Sequence, residues 1–198
     1  IPHLFPYNIG FKPFESKKNF EELVANSVNI RFKNCFGKFN VIYKHFKEAK
    51  DYEIFLLKHD IQYVYIRAGG RGYGDEGNFY IDPNFDIFIE ACEYLKVPYG
   101  FYYIDEATNS EEVDEEIKFM KDFISKNSTS MNKLPLAIDI ETHDGKGRAD
   151  EMWENRVYLA EELVQKFRLE GINTIIYSNA KTANEYLWNA NSNFWIAY

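Results

Sequence analysis

Asp139 and Glu141 close an apolar run, Leu134-Pro135-Leu136-Ala137-Ile138-Asp139-Ile140-Glu141. On a β-strand, residues two apart share a face and lie about 6–7 Å from each other. The two carboxylates therefore project from one side of the strand's C-terminal end, with Ile138 and Ile140 on the other. Carboxylate pairs of this kind cleave glycosidic bonds, one protonating the leaving oxygen while the other supports charge at the sugar carbon. The plainer alternative is a strand end whose acids are neutralised by Arg67 or Arg148. Tyr102 or Tyr103, Tyr177 and Trp195 fall at the ends of neighbouring strand candidates, and together they would wall the carboxylates with aromatic surface suited to a sugar ring.

These groups need a frame, and one is readable from the hydrophobic spacing. Strand patterns are predicted over 39–43, 62–68, 99–104, 136–141, 174–178 and 194–198. Helical spacing falls between them over 51–58, 83–95, 110–124, 150–169 and 182–187. The first of these helices is expected to turn Ile54, Leu57 and Phe55 inward. The third begins at Asn109 or Ser110, with acids in its first turn, and carries Val113, Ile117, Met120 and Ile124 on one face. Strand–helix alternation implies parallel strands joined by right-handed crossovers. Polar residues cluster at the strand C-termini, which favours a barrel with a doubly wound sheet as runner-up. A standard eight-unit barrel takes roughly 250 residues; at 198 residues this one is small, irregular or incomplete.

Residues 1–37 hold three of the six prolines and lack that rhythm, so they are expected to form an N-terminal extension or accessory segment to a unit over 38–198. The chain starts with Ile and ends on the apolar run Phe194–Tyr198, which suggests that the native protein continues.

Net charge of −8 argues against nucleic acid as a partner, and no run is long and apolar enough to span a membrane. Cys35 and Cys92 match no metal or redox spacing, and Cys92 reads as a buried thiol. His3, His45, His59 and His143 form no ligand pair, so neither a metal nor a cofactor is expected. Gly72-Tyr73-Gly74-Asp75-Glu76-Gly77 formally fits a dinucleotide fingerprint, but Asp75 and Glu76 would repel a pyrophosphate and no helix follows. A mobile loop over the C-terminal face of the sheet is the better reading.

Five segments occur in a telling order: Tyr65-Ile66-Arg67-Ala68, Gly100-Phe101-Tyr102-Tyr103, Leu136-Ala137-Ile138-Asp139-Ile140-Glu141, Ile176-Tyr177-Ser178-Asn179 and Trp195-Ile196-Ala197. Over residues 38–198 the chain resembles glycoside hydrolase family 25, the lysozymes (N-acetylmuramidases) of bacteria and phages. The resemblance implies a modified β/α barrel with fewer helices than a standard eight-unit barrel, and a substrate of peptidoglycan or a related N-acetylated glycan, met outside the cell or in the cell wall. It casts Glu141 as general acid and Asp139 as the group that supports attack by the substrate's own acetamido oxygen. It also implies substrate-binding roles for Asn40, Arg67, Asp82, Tyr102, Tyr103, Tyr177 and Trp195. The chain departs from the family at several points. Asn40 stands where an aspartate is usual, Tyr103 replaces a common histidine, Phe88 replaces a common asparagine, and a last aspartate beyond the Trp-Ile-Ala strand has no counterpart. A catalytically weak or inactive glycan-binding module is therefore the alternative.

Overall fold

The computed structural model describes residues 46–197, apart from His59, Asp144, Asn189 and Asn191. The strand expected over 39–43, together with Asn40 and Cys35, lies outside the described residues. Chain order is α1 (Ala49–Lys58), β1 (Val64–Arg71), β2 (Phe79–Ile81), α2 (Phe85–Leu95), β3 (Tyr99–Ile104), α3 (Ser110–Asn127), β4 (Leu136–Asp139), α4 (Trp153–Leu169) and β5 (Thr174–Asn179). A short α5 (Ala180–Thr182) then runs into a π-helical turn (Ala183–Leu187), and β6 (Phe194–Ala197) follows.

The fold is mixed α/β, built on a six-stranded sheet ordered β2-β1-β3-β4-β5-β6. All neighbouring pairs are parallel except β1 with β2. From β1 to β6 the order is sequential, with none of the reversal that defines a doubly wound sheet.

Period-two alternation sorts the strand side chains onto two faces. Val64, Ile66, Phe101, Tyr103, Leu136, Ile138, Ile176, Phe194 and Ile196 join helix residues such as Phe88, Met120, Leu163 and Phe167 in the main core. Tyr65, Ala137 and Ile175 turn the other way, with Tyr102, Tyr177 and Trp195 packed against them. The rings of Tyr65 on β1 and Trp195 on β6 lie 4.8 Å apart. In a flat sheet these strands would be separated by four spacings, about 19 Å. The sheet is therefore strongly curled, with this second set on its concave side.

Most elements follow their local patterns. Asn109 caps α3 by accepting the Glu112 N–H at 2.9 Å. Gly171, at φ 75°, follows the end of α4. Cys92 is a buried free thiol, its pKa pushed up to about 12 by burial.

The buried face of the first helix differs from the expected one. Helix α1 buries Tyr52 and Leu56 and leaves Ile54 and Leu57 exposed. Apolar residues occupy both sides of this helix, and the aromatic contacts of Tyr52 with Phe46 (4.9 Å) and Phe88 (4.8 Å) decide which side packs. The segment after the glycine-rich loop, for which the sequence suggests no element, is an antiparallel edge strand, β2. Its close return on β1 requires Gly69, at φ 146°, where any Cβ would strike the Tyr80 carbonyl.

Candidate active site

The last residue of β4 is Asp139, so Glu141 stands just beyond the ladder rather than within it. The backbone there is nonetheless fixed from both sides. The Asp105 N–H donates to the Asp139 carbonyl at 3.1 Å, and the Ile140 N–H donates to the Tyr177 carbonyl at 2.9 Å. The Ser178 hydroxyl adds a bond to the Ile140 carbonyl at 2.6 Å. Held this way, Asp139 is buried and Glu141 half-buried.

The arginines do not neutralise this pair. Arg67 binds Asp82, whose other oxygen accepts the Asn84 N–H at 2.8 Å. Arg148 binds Glu112 at 2.7 Å. Although burial pushes the Glu112 carboxyl upward, Arg148 and Thr108 hold it down to about 2. Asp139 has the opposite fate. Burial raises its pKa well above the usual carboxylate range; Glu141, Asp105 and Glu106 reinforce that, and the Arg156 guanidinium opposes it. Its Oδ1 is buried with no hydrogen-bond partner among the described residues. Glu141 is also raised by burial, against a hydrogen bond from Asn179 and the positive charge of His143. Both acids thus favour the protonated form more than free carboxylates do.

Raised pKa has a consequence for stability. The folded chain binds the Asp139 proton more tightly than the unfolded chain, so this group favours folding most at low pH and loses that contribution as pH rises through its folded pKa. Asp139→Asn is expected to stabilise the fold at neutral pH by about 0.5–2 kcal/mol. Thermal melting should show the gain shrinking in acid; equal or lower stability at neutral pH would contradict the assigned charge cost.

Aromatic residues border the pair. On the concave side, Trp195 meets Tyr177 edge-on at 4.6 Å and Tyr65 at 4.8 Å, with Tyr102 in the same cluster. Tyr103, expected among the substrate-binding positions, is not brought there. It follows Tyr102 in the strand and so faces the helices, fully buried 6.2 Å from the Phe167 ring. Arg67, Asp82, Asp139 and Glu141 fall in one electrostatic neighbourhood with Tyr73 and Tyr80, two exposed tyrosines from the β1–β2 hairpin.

Three further groups escaped the sequence reading. Glu106, fully buried, accepts the Ala149 N–H at 3.0 Å and stands 3.2 Å from His143 Nε2. The Tyr73 hydroxyl lies 3.3 Å from His143 Nδ1. Asn179, the last residue of β5, holds the Glu141 carboxyl down against the effect of its burial. Asp105, Glu106 and Asn179 all sit at or just past strand C-termini, and that positional rule, applied to every strand, would have marked them.

Comparison with known proteins gives the lineage. The fold is similar to that of the modular autolysin LytC from Streptococcus pneumoniae, with a TM-score of 0.59 and 20% identity over 71% of this chain and 32% of that one. It is also similar to the Clostridium perfringens spore cortex lytic enzyme SleM, with a TM-score of 0.61 and 18% identity over 73% of this chain and 48% of that one. The chain thus spans less than half the length of either protein. No curated protein sequence matches it. Residues 42–198 match the family described as glycosyl hydrolases family 25. With that match spanning most of its length, the chain belongs to glycosyl hydrolase family 25.

Proposed function

We propose that the chain is a peptidoglycan hydrolase of the muramidase type, acting at the cell wall on the β-1,4 bond between N-acetylmuramic acid and N-acetylglucosamine. The observation that carries this reading is the placement of Asp139 and Glu141. Both are held at one strand end, neither is consumed by a neighbouring arginine, and both are raised by burial. Family membership supports it, as does the similarity to LytC, whose structure is also described in complex with a synthetic peptidoglycan ligand.

In this mechanism Glu141 donates its proton to the glycosidic oxygen as the bond to C1 breaks. The acetamido carbonyl oxygen of the same sugar forms a new bond to C1, giving a cyclic oxazolinium ion. Water then attacks C1, its proton passes to Glu141, and the ring opens to restore the acetamide. The partnerless oxygen of Asp139 suits the acetamido N–H, which becomes more positive as the ring closes. An ionised Asp139 costs most in the empty site and least in that transition state, so its interaction strengthens where it accelerates the reaction. Arg67, Asp82, Tyr102, Tyr177 and Trp195 line the approach and bind the glycan. The scaffold we propose is a modified β/α barrel over 38–198, supported by the sequential strand order and the curl, with 1–37 as an accessory segment.

Asn40, in place of a usual aspartate, favours a second reading, a glycan-binding module with little turnover. Incubation with purified walls separates the two. Release of reducing ends supports the hydrolase, whereas retention on walls without release supports the binding module.

A further inference from the structure

We propose that His143 is a positioning residue for the reaction: a ring held between Glu106 and Tyr73 that sets the charge around Glu141 and ties the glycine-rich loop to the acid pair. The inference rests on the reading of Glu141 as general acid. Its basis is the way His143 is built into the site.

The His143 backbone N–H donates to both Asp150 oxygens at 3.0 and 3.1 Å, and the same carboxylate collects the N–H groups of Gly145 and Gly147. This fixes the loop that follows Glu141. Behind the ring, Glu106 is fully buried and seated on the Ala149 N–H through one oxygen; its other oxygen stands 3.2 Å from Nε2, an ion-pair distance at which neither atom completes a hydrogen bond. In front, Tyr73 lies against the ring at 4.5 Å between centroids, with its hydroxyl 3.3 Å from Nδ1. When the ring is charged, Nδ1–H donates to the tyrosine oxygen; when it is neutral with Nε2 protonated, the tyrosine O–H donates instead. The glycine-rich loop is held at two further points, where Arg148 donates to the Asp75 carbonyl at 3.2 Å and Arg71 to the Gly77 carbonyl at 3.1 Å.

The charges facing His143 are Glu106 from the β3–α3 connection, with Asp150 and Glu141 from its own loop. Glu106 is the main reason that His143 holds its proton more tightly than usual, with burial opposing it. Facing Glu141 are His143 and the Asn179 amide, while Asp139 stands two residues before it. An acid catalyst must release its proton during bond cleavage and regain one afterwards. Burial alone would hold the Glu141 proton too firmly, and positive charge on His143 beside it moderates that hold.

The test is a carboxyl-carbon NMR titration of Glu141 in the full chain and in His143→Gln. The Glu141 midpoint should rise in the variant, and His143→Lys, which keeps a cation, should bring it back toward the original value. In Glu106→Gln, a second variant that leaves the ring in place, the His143 midpoint should fall. An unmoved Glu141 midpoint in folded His143→Gln, or an unmoved His143 midpoint in Glu106→Gln, would overturn the proposal; a merely structural histidine would lower the melting temperature and leave Glu141 where it was. In wall turnover, the alkaline limb should move upward with the Glu141 midpoint. A midpoint shift without any turnover by the unmodified chain would support the assignment for His143 and reject the hydrolase reading. Turnover with unmoved midpoints would do the reverse.

Discussion

Glu141→Gln should reduce the release of reducing ends from purified peptidoglycan by about 10²–10⁴-fold, the usual contribution of a positioned general acid. Glutamine keeps the shape of the side chain and can still meet Asn179, but it has no proton to give the leaving oxygen. The expected signature is a large fall in kcat with little change in wall binding, because the interaction removed exists mainly in the transition state. Thermal melting should show no loss of stability. Glu141 is raised by burial, so the neutral amide replaces a group that is costly to ionise there. Turnover within a few-fold of the unmodified chain would remove Glu141 from its role.

A loss of about 3–5 kcal/mol of folding stability is expected for Arg71→Met, as for other buried ion pairs deprived of one partner. Arg71 is buried at the end of β1, where its Nε donates to Glu116 at 2.9 Å and its Nη2 donates to the Glu112 carbonyl at 3.0 Å. Its guanidinium also lies 4.4 Å from the centre of the Phe79 ring. One side chain thereby joins β1, β2, α3 and the glycine-rich loop. Methionine keeps most of the apolar stem but leaves Glu116, fully buried, without its cation. Burial and the nearby Asp105 already raise the Glu116 pKa well above the usual range, with Arg71 opposing them. Without Arg71, Glu116 binds its proton more tightly still, so the variant's deficit should shrink as pH falls. Urea denaturation measures this, and Arg71→Met combined with Glu116→Leu should recover much of the loss. The exposed Lys121–Glu170 pair gives the contrast: its removal should change little, because a solvated ion pair contributes at most about 1 kcal/mol.

The strands carrying the site were legible because period-two patterns and turn residues mark them; Tyr99–Ile104 appears as anticipated. The Asp139–Glu141 pair was legible from residue type and place alone. Its strand ends two residues early, at Asp139, because beyond it Ile140 keeps only single bonds to Tyr177 and to the Ser178 hydroxyl on β5 rather than a continued ladder. Two features lay beyond local pattern. The packed face of α1 depends on contacts with Phe46 and Phe88, and β2 is a three-residue edge strand with no periodicity to detect. The cluster of Tyr73, Glu106 and His143 was illegible for a related reason. Tyr73 and His143 are 70 residues apart, each is an unremarkable residue by itself, and only the parallel order of β1, β3 and β4 brings them together.

The central claim is that this chain cuts glycan strands on the reducing side of N-acetylmuramic acid. Digesting purified peptidoglycan, reducing the products with borohydride and identifying the sugar alcohol tests it most directly. The account predicts muramicitol with the unmodified chain and a near-complete loss of it with Glu141→Gln. Glucosaminitol as the product, or no new reducing end from the unmodified chain, would contradict it.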